Sequence, residues 1–309
     1  MRIITLSLLL CGLVIQSFGV RPPLKGYTYA SEQAPTGKEW QSPENLALNK
    51  EQPHAWFFPF QDIKSARKVL PENSIYWQSL NGNWKFNWAA DPDSRPKDFY
   101  KTDFDVTAWD NIPVPSSWNI YGVQQDGSLK YGVPIYVNQP VIFMHSVKAD
   151  DWRGGVMRTP PTNWTTYKYR NEVGSFRREF EIPEHWDGRE VFISFDGVDS
   201  FFYLWINGMY VGFSKNSRNT ANFNITNYLR SGKNIVAAEV YRNSDGSFLE
   251  AQDMFRLPGI FRTVALYSTP KVQIRDLVET PDLDNNYTDG SLTIQADIRN
   301  FGKKTAKGY

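Results

Sequence analysis

The fold is decided by residues 201–213, which have the sequence Phe201-Phe202-Tyr203-Leu204-Trp205-Ile206-Asn207-Gly208-Met209-Tyr210-Val211-Gly212-Phe213. An Asn-Gly pair between two apolar runs is the strongest local signal for a β-hairpin, because both residues tolerate the positive φ that a tight turn requires. Aromatic and β-branched residues on either side favour extended backbone. We therefore predict two antiparallel strands joined at Asn207–Gly208.

Further strand signals occur on both sides of this hairpin. Trp84, Phe86 and Trp88 alternate with polar residues after an Asn-Gly turn at 81–82, which is typical of a half-buried strand. Phe223–Leu229 indicates a turn that enters a short helix. No long stretch has a helical period, and many short strands with turn signals predict an all-β fold built as a β-sandwich. The remaining predicted strands are 112–115 (an edge strand, because of its prolines), 176–182, 191–195, 234–241 and 261–267.

The first 19 residues have the pattern of a secretory signal peptide. Arg2 is followed by the apolar run Ile3–Ile15, which is too short to span a bilayer, and Ser17-Phe18-Gly19 supplies small residues for cleavage. The only cysteine, Cys11, lies in this segment, and Leu10 before it makes a lipid anchor the weaker interpretation. We expect an exported protein without disulfides or membrane insertion, located in a bacterial periplasm or on the outer surface.

Two further boundaries divide the chain. Residues 20–55 are rich in Pro, Gln and Asn and predict an extended N-terminal arm, so that the main domain covers 56–270. Beyond Pro270, residues 272–280 and 292–299 predict two strands joined by a polar turn. Two strands cannot bury a core of their own, so residues 271–309 are expected to be the truncated start of a second sandwich, the alternative being a short appendage.

Charge and motif content exclude several functions. The 34 Lys and Arg residues balance 33 Asp and Glu residues, so we expect no nucleic-acid partner. The three histidines, at 54, 145 and 185, do not have metal-ligand spacing, and no Gly-rich phosphate loop is present. The aromatic content of 15% suits both sheet packing and stacking against sugars.

The densest polar and aromatic segment is 242–256, directly after a predicted strand. Its carboxylates, amides and aromatic rings are the groups that recognise sugar hydroxyls and sugar C–H faces. A purely structural alternative is an Asp-Gly turn capped by Asp245, with Glu250 and Asp253 paired to Arg256 and Arg262. A second cluster, 130–140, is a Pro-punctuated loop with tyrosines and an amide.

The run Ser244-Asp245-Gly246-Ser247-Phe248-Leu249-Glu250, continued by Gln252-Asp253-Met254-Phe255-Arg256 and Gly259-Ile260-Phe261-Arg262, resembles the signature of glycoside hydrolase family 2, in its β-galactosidase branch. Supporting motifs occur in the same order at 80–86, 114–118, 134–138, 195–198 and 205–208. The resemblance covers about residues 40–270. It implies a jelly-roll β-sandwich followed by an incomplete immunoglobulin-like sandwich, and in the family a (β/α)₈ barrel then carries catalysis.

The resemblance also implies site residues. Asp245 matches an aspartate that contacts galactose and a bound sodium ion, and Asn138 matches an asparagine of the galactose subsite, although an insertion follows to about Asn171. Magnesium and homo-oligomer contacts are further family features of the complete enzyme.

The expected role is therefore the N-terminal, non-catalytic portion of a retaining β-galactosidase acting on galactose-containing glycans. Both catalytic glutamates belong to the barrel, which needs about 250 residues, so we expect the chain alone to be inactive. The alternatives are a free-standing carbohydrate-binding module, a domain for oligomer contacts, or the same portion of a β-glucuronidase or β-mannosidase.

Overall fold

A computed structural model describes residues 34–137, 171–250 and 252–307. Over these ranges the secondary structure is almost entirely β, and the two α-helices, α1 (Ile63–Ala66) and α2 (Trp118–Tyr121), have four residues each. Single 3-10 turns occur at Glu39–Gln41, Pro71–Asn73, Glu184–Trp186, Thr226–Tyr228 and Asp245–Phe248. The strands are β1 (Ala47–Leu48), β2 (Trp77–Ser79), β3 (Gly82–Ala89), β4 (Asp110–Val114), β5 (Ile135–Val137), β6 (Val173–Glu181), β7 (Glu190–Phe195), β8 (Val198–Asp199), β9 (Phe201–Ile206), β10 (Met209–Lys215), β11 (Ala221–Asn224), β12 (Lys233–Tyr241), β13 (Met254–Arg256), β14 (Gly259–Ile260), β15 (Val264–Thr269), β16 (Val272–Leu283) and β17 (Gly290–Asn300).

Two antiparallel sheets form the body of the molecule. The larger sheet has the order β1-β10-β9-β12-β6-β3-β4, and the smaller sheet has the order β11-β7-β15-β2. The hairpin β9–β10 forms at Asn207–Gly208, which confirms its prediction, and β4 with its proline lies at a sheet edge as expected. The Asn81–Gly82 turn, by contrast, carries the chain from the smaller sheet to the larger one. The all-β prediction is therefore confirmed.

The first hydrophobic core lies between the two sheets. Trp84, Phe86 and Leu204 point into it from the larger sheet, and Ile193 and Leu266 point into it from the smaller one. Each of these side chains is almost completely shielded from solvent. Burial of large apolar and aromatic side chains is the dominant favourable term in folding, so this core holds the sheets face to face.

A second core covers the other face of the larger sheet. Tyr203 and Trp205 pack there against Trp40, from the segment before β1, and Phe99, from the loop between β3 and β4. Buried Arg177 secures the covering loop, because its guanidinium donates hydrogen bonds to the carbonyl oxygens of residues 99, 102 and 104. Strand β9 is consequently buried on both faces, which explains its unbroken apolar sequence. The charged side chain of Arg177 is thus a buried anchor for this loop.

From residue 34 onwards, the N-terminal segment lies against the sandwich. Strand β1 extends the larger sheet by pairing with β10. Farther along, the backbone N–H of Ala55 donates a hydrogen bond to Asp276 Oδ1 at 2.8 Å, and Arg299 forms an ion pair with Glu51 at 2.8 Å. Residues 1–33, which include the predicted signal peptide, lie outside the described residues.

The last two strands form the separate hairpin β16–β17. Both strands extend farther into the predicted polar turn than expected, to Leu283 and from Gly290. Apolar side chains of the hairpin, including Val278, Ile294 and Ile298, are exposed in the described chain. A second departure concerns Asn224, which ends strand β11 where a turn was predicted, so that the short helical turn begins at Thr226.

Candidate functional site

The loop that follows β12, residues 242–256, is brought together with the predicted loop at 130–140. Its end forms strand β13, which pairs with β5, so that Phe255 lies opposite Tyr136 and Met254 opposite Val137. The rings of Tyr136 and Phe255 are 5.1 Å apart and largely exposed, and the Tyr136 hydroxyl donates a hydrogen bond to Asp253. The two segments that the sequence singled out thus form one surface. Asn138 itself lies outside the described residues.

Asp245 begins the 3-10 turn at the tip of this loop and is paired with Lys215 from the end of β10. The Lys215 ammonium nitrogen lies 2.9 Å from Oδ1 and 3.0 Å from Oδ2 of Asp245, and it also donates to the carbonyl oxygen of Ser42 at 2.6 Å. The side chains are only 4% and 9% exposed, respectively. Among the described residues only Oδ2 accepts a hydrogen bond from Lys215, whereas the 2.9 Å contact at Oδ1 is an ion pair without hydrogen-bond geometry. The tip therefore holds a nearly buried carboxylate beside one cation, with acceptor capacity that Lys215 does not use.

The turn around Asp245 is held by its serines. The backbone N–H of Ser244 donates to Ser247 Oγ at 3.0 Å, and the N–H of Ser247 donates to the carbonyl oxygen of Ser244 at 3.0 Å. The structural alternative in which Asp245 caps this turn is therefore wrong. Asp245 reaches Lys215, far away in sequence, instead of a neighbouring backbone group.

Other contacts take the place of the ion pairs that the structural alternative predicted for Glu250, Arg256 and Arg262. Glu250 accepts hydrogen bonds from the backbone N–H and the hydroxyl of Ser217, at 2.7 and 2.5 Å. The Arg256 guanidinium donates to the carbonyl oxygens of Glu250 and Gln252, at 2.5 and 2.7 Å. Arg262 donates to the carbonyl oxygen of Arg218 at 2.7 Å. Backbone carbonyls and serine donors, rather than carboxylate–arginine pairs, thus fix the second half of the loop.

Asp199 lies beside this loop and has a strongly shifted pKa. Burial raises its pKa to about 6, although the positive charge of Arg218, 3.3 Å away, acts in the opposite direction. The nearby negative charge of Glu250 adds to the increase. The Arg256 guanidinium is also partly buried, which lowers its pKa.

The base of the loop rests on a second ion pair, between Arg242 and Glu172. The guanidinium lies 2.6 Å from Glu172 Oε1, and both side chains are shielded from solvent, at 2% and 0% exposure. Glu172 Oε2 also accepts hydrogen bonds from the indole of Trp118 and the amide of Asn119, at 3.0 and 3.1 Å. Gly132 has a positive φ of 73° and packs so closely on this carboxylate that a Cβ would collide with it. The loop base is therefore a closely packed, hydrogen-bonded charge network.

Sequence reasoning identified Asp245 but missed Lys215, Glu172 and the role of Arg242. Nothing local marks Lys215, because it ends a strand thirty residues before its partner. Glu172 lies just before β6, seventy residues before Arg242. The sequence offered one indirect hint, because Lys215 ends a mostly apolar strand and a buried lysine needs a partner for its charge.

The described residues around Asp245 do not by themselves fit a sodium ion. They place an ammonium group, not further oxygen ligands, against the carboxylate, and no group of three or more His, Cys, Asp or Glu side chains in the described ranges is arranged to hold a metal. The sodium assignment to Asp245 therefore stays a prediction. None of the described helices is long and apolar enough to cross a membrane.

Comparison with known proteins identifies the family. The family model for the sugar binding domain of family 2 glycosyl hydrolases matches residues 77–270. The chain belongs to this glycoside hydrolase family, which confirms the resemblance drawn from the motifs around Asp245.

Curated relatives are β-galactosidases. The chain is 42% identical over 264 residues to the β-galactosidase of Priestia megaterium, a match that covers 85% of this chain and 24% of the relative. It is 34% identical over 272 residues to the β-galactosidase large subunit of Lactobacillus helveticus, covering 85% of this chain and 40% of that subunit. The chain thus spans less than half the length of these relatives.

Solved structures support the fold. The β-glucuronidase of Bacteroides uniformis superposes with a TM-score of 0.50 at 18% identity, over 72% of this chain and 22% of that one. A second family 2 β-glucuronidase gives a TM-score of 0.50 at 19% identity, over 73% and 22%. Identities this low support the shared fold alone.

Proposed function

We propose that this chain is the N-terminal, non-catalytic portion of a retaining β-galactosidase and that it shapes the substrate entrance of a barrel active site. The observation that carries the proposal is the 42% identity to a β-galactosidase over 85% of the chain. In this proposal the sandwich is the jelly-roll domain of the family, and residues 271–309 open the immunoglobulin-like domain. The enzyme is exported after cleavage near Gly19.

Asp245 is the residue of this chain that contacts galactose in the proposed enzyme. Lys215 stabilises the ionised carboxylate and fixes its position, and Oδ1 retains unused capacity to accept a hydrogen bond. A sugar hydroxyl that donates to an ionised carboxylate forms a charge-assisted hydrogen bond, which is about twice as strong as a neutral one. Because the side chain is nearly buried, substrate binding requires the carboxylate to turn outward from Lys215.

Asn138 and the aromatic pair Tyr136–Phe255 complete the proposed entrance. Tyr136 and Phe255 offer exposed ring faces beside the loop, and such faces suit the C–H surface of a pyranose. Asn138 comes directly after Val137, the last residue of β5, and Val137 pairs with Met254 at the end of the Asp245 loop.

The test uses the complete polypeptide encoded by the reading frame that contains these 309 residues. We expect Asp245→Asn to lower kcat/KM for a nitrophenyl β-galactoside by about 10- to 100-fold, because a hydrogen bond to a charged group contributes about 1.5–3 kcal/mol. The loss in kcat/KM should exceed the loss in ground-state binding, since sugar hydroxyl contacts strengthen in the transition state. The 309-residue chain alone should give no turnover.

Glu179→Gln, on the exposed pair with Lys233, is the matched control and should leave kcat/KM unchanged. Asp245→Asn also leaves Lys215 without its partner, so rates are measured well below the melting temperature and per folded molecule. A destabilised Asp245→Asn enzyme with full kcat/KM would show that Asp245 is structural. Preference for a nitrophenyl β-glucuronide would overturn the substrate assignment.

A further inference from the structure

The outer face of the smaller sheet carries a row of small side chains that crosses all four strands. Ser79 pairs with Ala265, Ala265 with Ser194, and Ser194 with Asn222. Their neighbours along each strand point into the sandwich core, because side chains alternate between the two faces of a sheet. The row forms a shallow, polar trough across the sheet.

An aromatic row lies directly beside this trough. At a distance of two residues from the first row on each strand, Trp77 pairs with Tyr267, and Tyr267 pairs with Phe192. The rings of Tyr267 and Phe192 are stacked, with centroids 5.0 Å apart and planes 8° from parallel. One wall of the trough is therefore aromatic and its floor is polar.

A strap, residues 52–61, arches over the trough and is tied down at both ends. Arg275 donates to the carbonyl oxygens of Gln52 and Pro53, and at the other end Ser74 Oγ donates to the carbonyl oxygen of Pro59 at 2.6 Å. Between these ties, Trp56 has 63% of its surface exposed, with its ring 5.2 Å from that of Phe58. Strap and trough enclose a cavity of about 390 Å³, which lies within the range of ligand pockets. We name this cavity the outer-sheet groove.

Polar groups converge on the floor of the outer-sheet groove. The Ser194 hydroxyl donates to Asp196 Oδ1 at 2.8 Å, and Asn222 Nδ2 lies 3.3 Å from His54 Nε2. Asn222 Oδ1 is shielded from solvent, and no described residue donates a hydrogen bond to it. Leaving such an acceptor unpaired is costly, and a rotation of the Asn222 amide toward the groove would let a ligand donor pair with it.

We propose that the outer-sheet groove is a second, non-catalytic carbohydrate site that binds one pyranose unit of a β-linked oligosaccharide. A β-linked pyranose with equatorial hydroxyls presents a flat C–H face to Trp56 or Trp77 while its hydroxyls reach Asn222 Oδ1 and the Asp196 carboxylate. An exposed indole above a polar floor is suited to such a ligand. The groove lies on the smaller sheet, and the proposal does not depend on the role of Asp245, which follows a strand of the larger sheet.

The test is a lactose titration of the 309-residue chain labelled with 5-fluorotryptophan, observed by ¹⁹F NMR. We expect the resonances of Trp56 and Trp77 to shift in a saturable manner, while those of buried Trp40 and Trp84 stay in place. Trp56→Ala should raise the Kd about tenfold or more, and Asn222→Ala should weaken binding as well. Tyr287→Ala removes another exposed aromatic ring, in the last hairpin turn, and should leave the Kd unchanged.

Asp245→Asn separates the two proposals. If this variant binds lactose with unchanged affinity and the same Trp56 shift, the groove is the site, whatever Asp245 does in the complete enzyme. Binding that is lost in Asp245→Asn but retained in Trp56→Ala overturns the groove and leaves the proposed function standing. A titration that moves neither Trp56 nor Trp77 also overturns it. Melting temperatures of all variants establish that they are folded.

Discussion

The base and the tip of the 242–256 loop each contain an ion pair, and the two pairs differ in how many hydrogen bonds the carboxylate accepts. At the base, Glu172 receives Arg242, an indole N–H and an amide N–H, and neither charged side chain is exposed beyond 2%. At the tip, Asp245 receives Lys215 alone, and one of its carboxylate oxygens accepts no hydrogen bond from the described residues.

This difference distinguishes the structural role of the Glu172–Arg242 pair from the ligand-binding role proposed for Asp245. Both oxygens of the buried Glu172 carboxylate already accept hydrogen bonds, so this carboxylate cannot bind a ligand without losing some of them, and the base serves to hold the loop in place. A pair with spare acceptor capacity near the surface can exchange part of its interaction for a ligand hydroxyl.

The largest expected effect comes from breaking the base. Glu172→Gln leaves the Arg242 charge uncompensated in the interior and should lower the free energy of unfolding by about 3–5 kcal/mol. Urea denaturation with an unchanged m-value measures this loss. The control is Glu179→Gln on the exposed pair with Lys233, which should cost no more than about 1 kcal/mol. Equal losses in the two variants would contradict the distinction between a buried network and a surface pair.

A smaller effect is expected at the tip. Lys215→Met keeps the aliphatic stem but removes the only described partner of the Asp245 side chain. Because Asp245 is close enough to the surface to turn toward water, we expect a loss of about 1–3 kcal/mol. The double variant Lys215→Met/Asp245→Asn removes both charges and should recover part of that loss in the same urea experiment. If Lys215→Met lowered the free energy of unfolding more than Glu172→Gln does, the tip rather than the base would be the more important ion pair for stability.

The smallest effect concerns proton binding beside the tip. The Asp199 carboxyl, with its pKa raised to about 6 by burial, should titrate near that pH in a ¹³C NMR experiment. Between about pH 4 and 6 the folded protein then binds more protons than the unfolded chain, so the free energy of unfolding falls as the pH rises. Asp199→Asn should remove the Asp199 contribution to this slope, which is at most about 1.4 kcal/mol per pH unit; Asp196 and Glu239, whose pKa values burial also raises, keep their own contributions.

Asp126 provides the control for that experiment. It lies in an exposed turn, where hydrogen bonds from Ser128 lower its pKa. Its protonation change therefore falls below the window, and Asp126→Asn should leave the slope between pH 4 and 6 unchanged. An Asp199 resonance that titrates near pH 4 would show that the carboxyl is more solvated than its surroundings indicate.

Much of the fold could be predicted from sequence because its signals are local. The Asn207–Gly208 hairpin, the edge position of β4 and the alternation in β3 each depend on a few adjacent residues, and the structure confirms all three. The candidate loop was also recognisable, because Asp245 lies within a contiguous motif. Its surroundings were not, since its partner Lys215 comes from a different strand.

By itself, the sequence determined that this is an all-β protein of family 2 and that the 242–256 loop is its chemically distinctive segment, because turn preferences, side-chain alternation and motifs are properties of neighbouring residues. Only the tertiary structure decided which charges meet. Glu172 reaches Arg242, Lys215 reaches Asp245, and Ser79 lines up with Asn222 across four strands, because strand order and register join residues that are far apart in the chain. A one-residue shift in register would turn Ser79 and Asn222 to the opposite face of the sheet, so the outer-sheet groove exists only in the folded pairing.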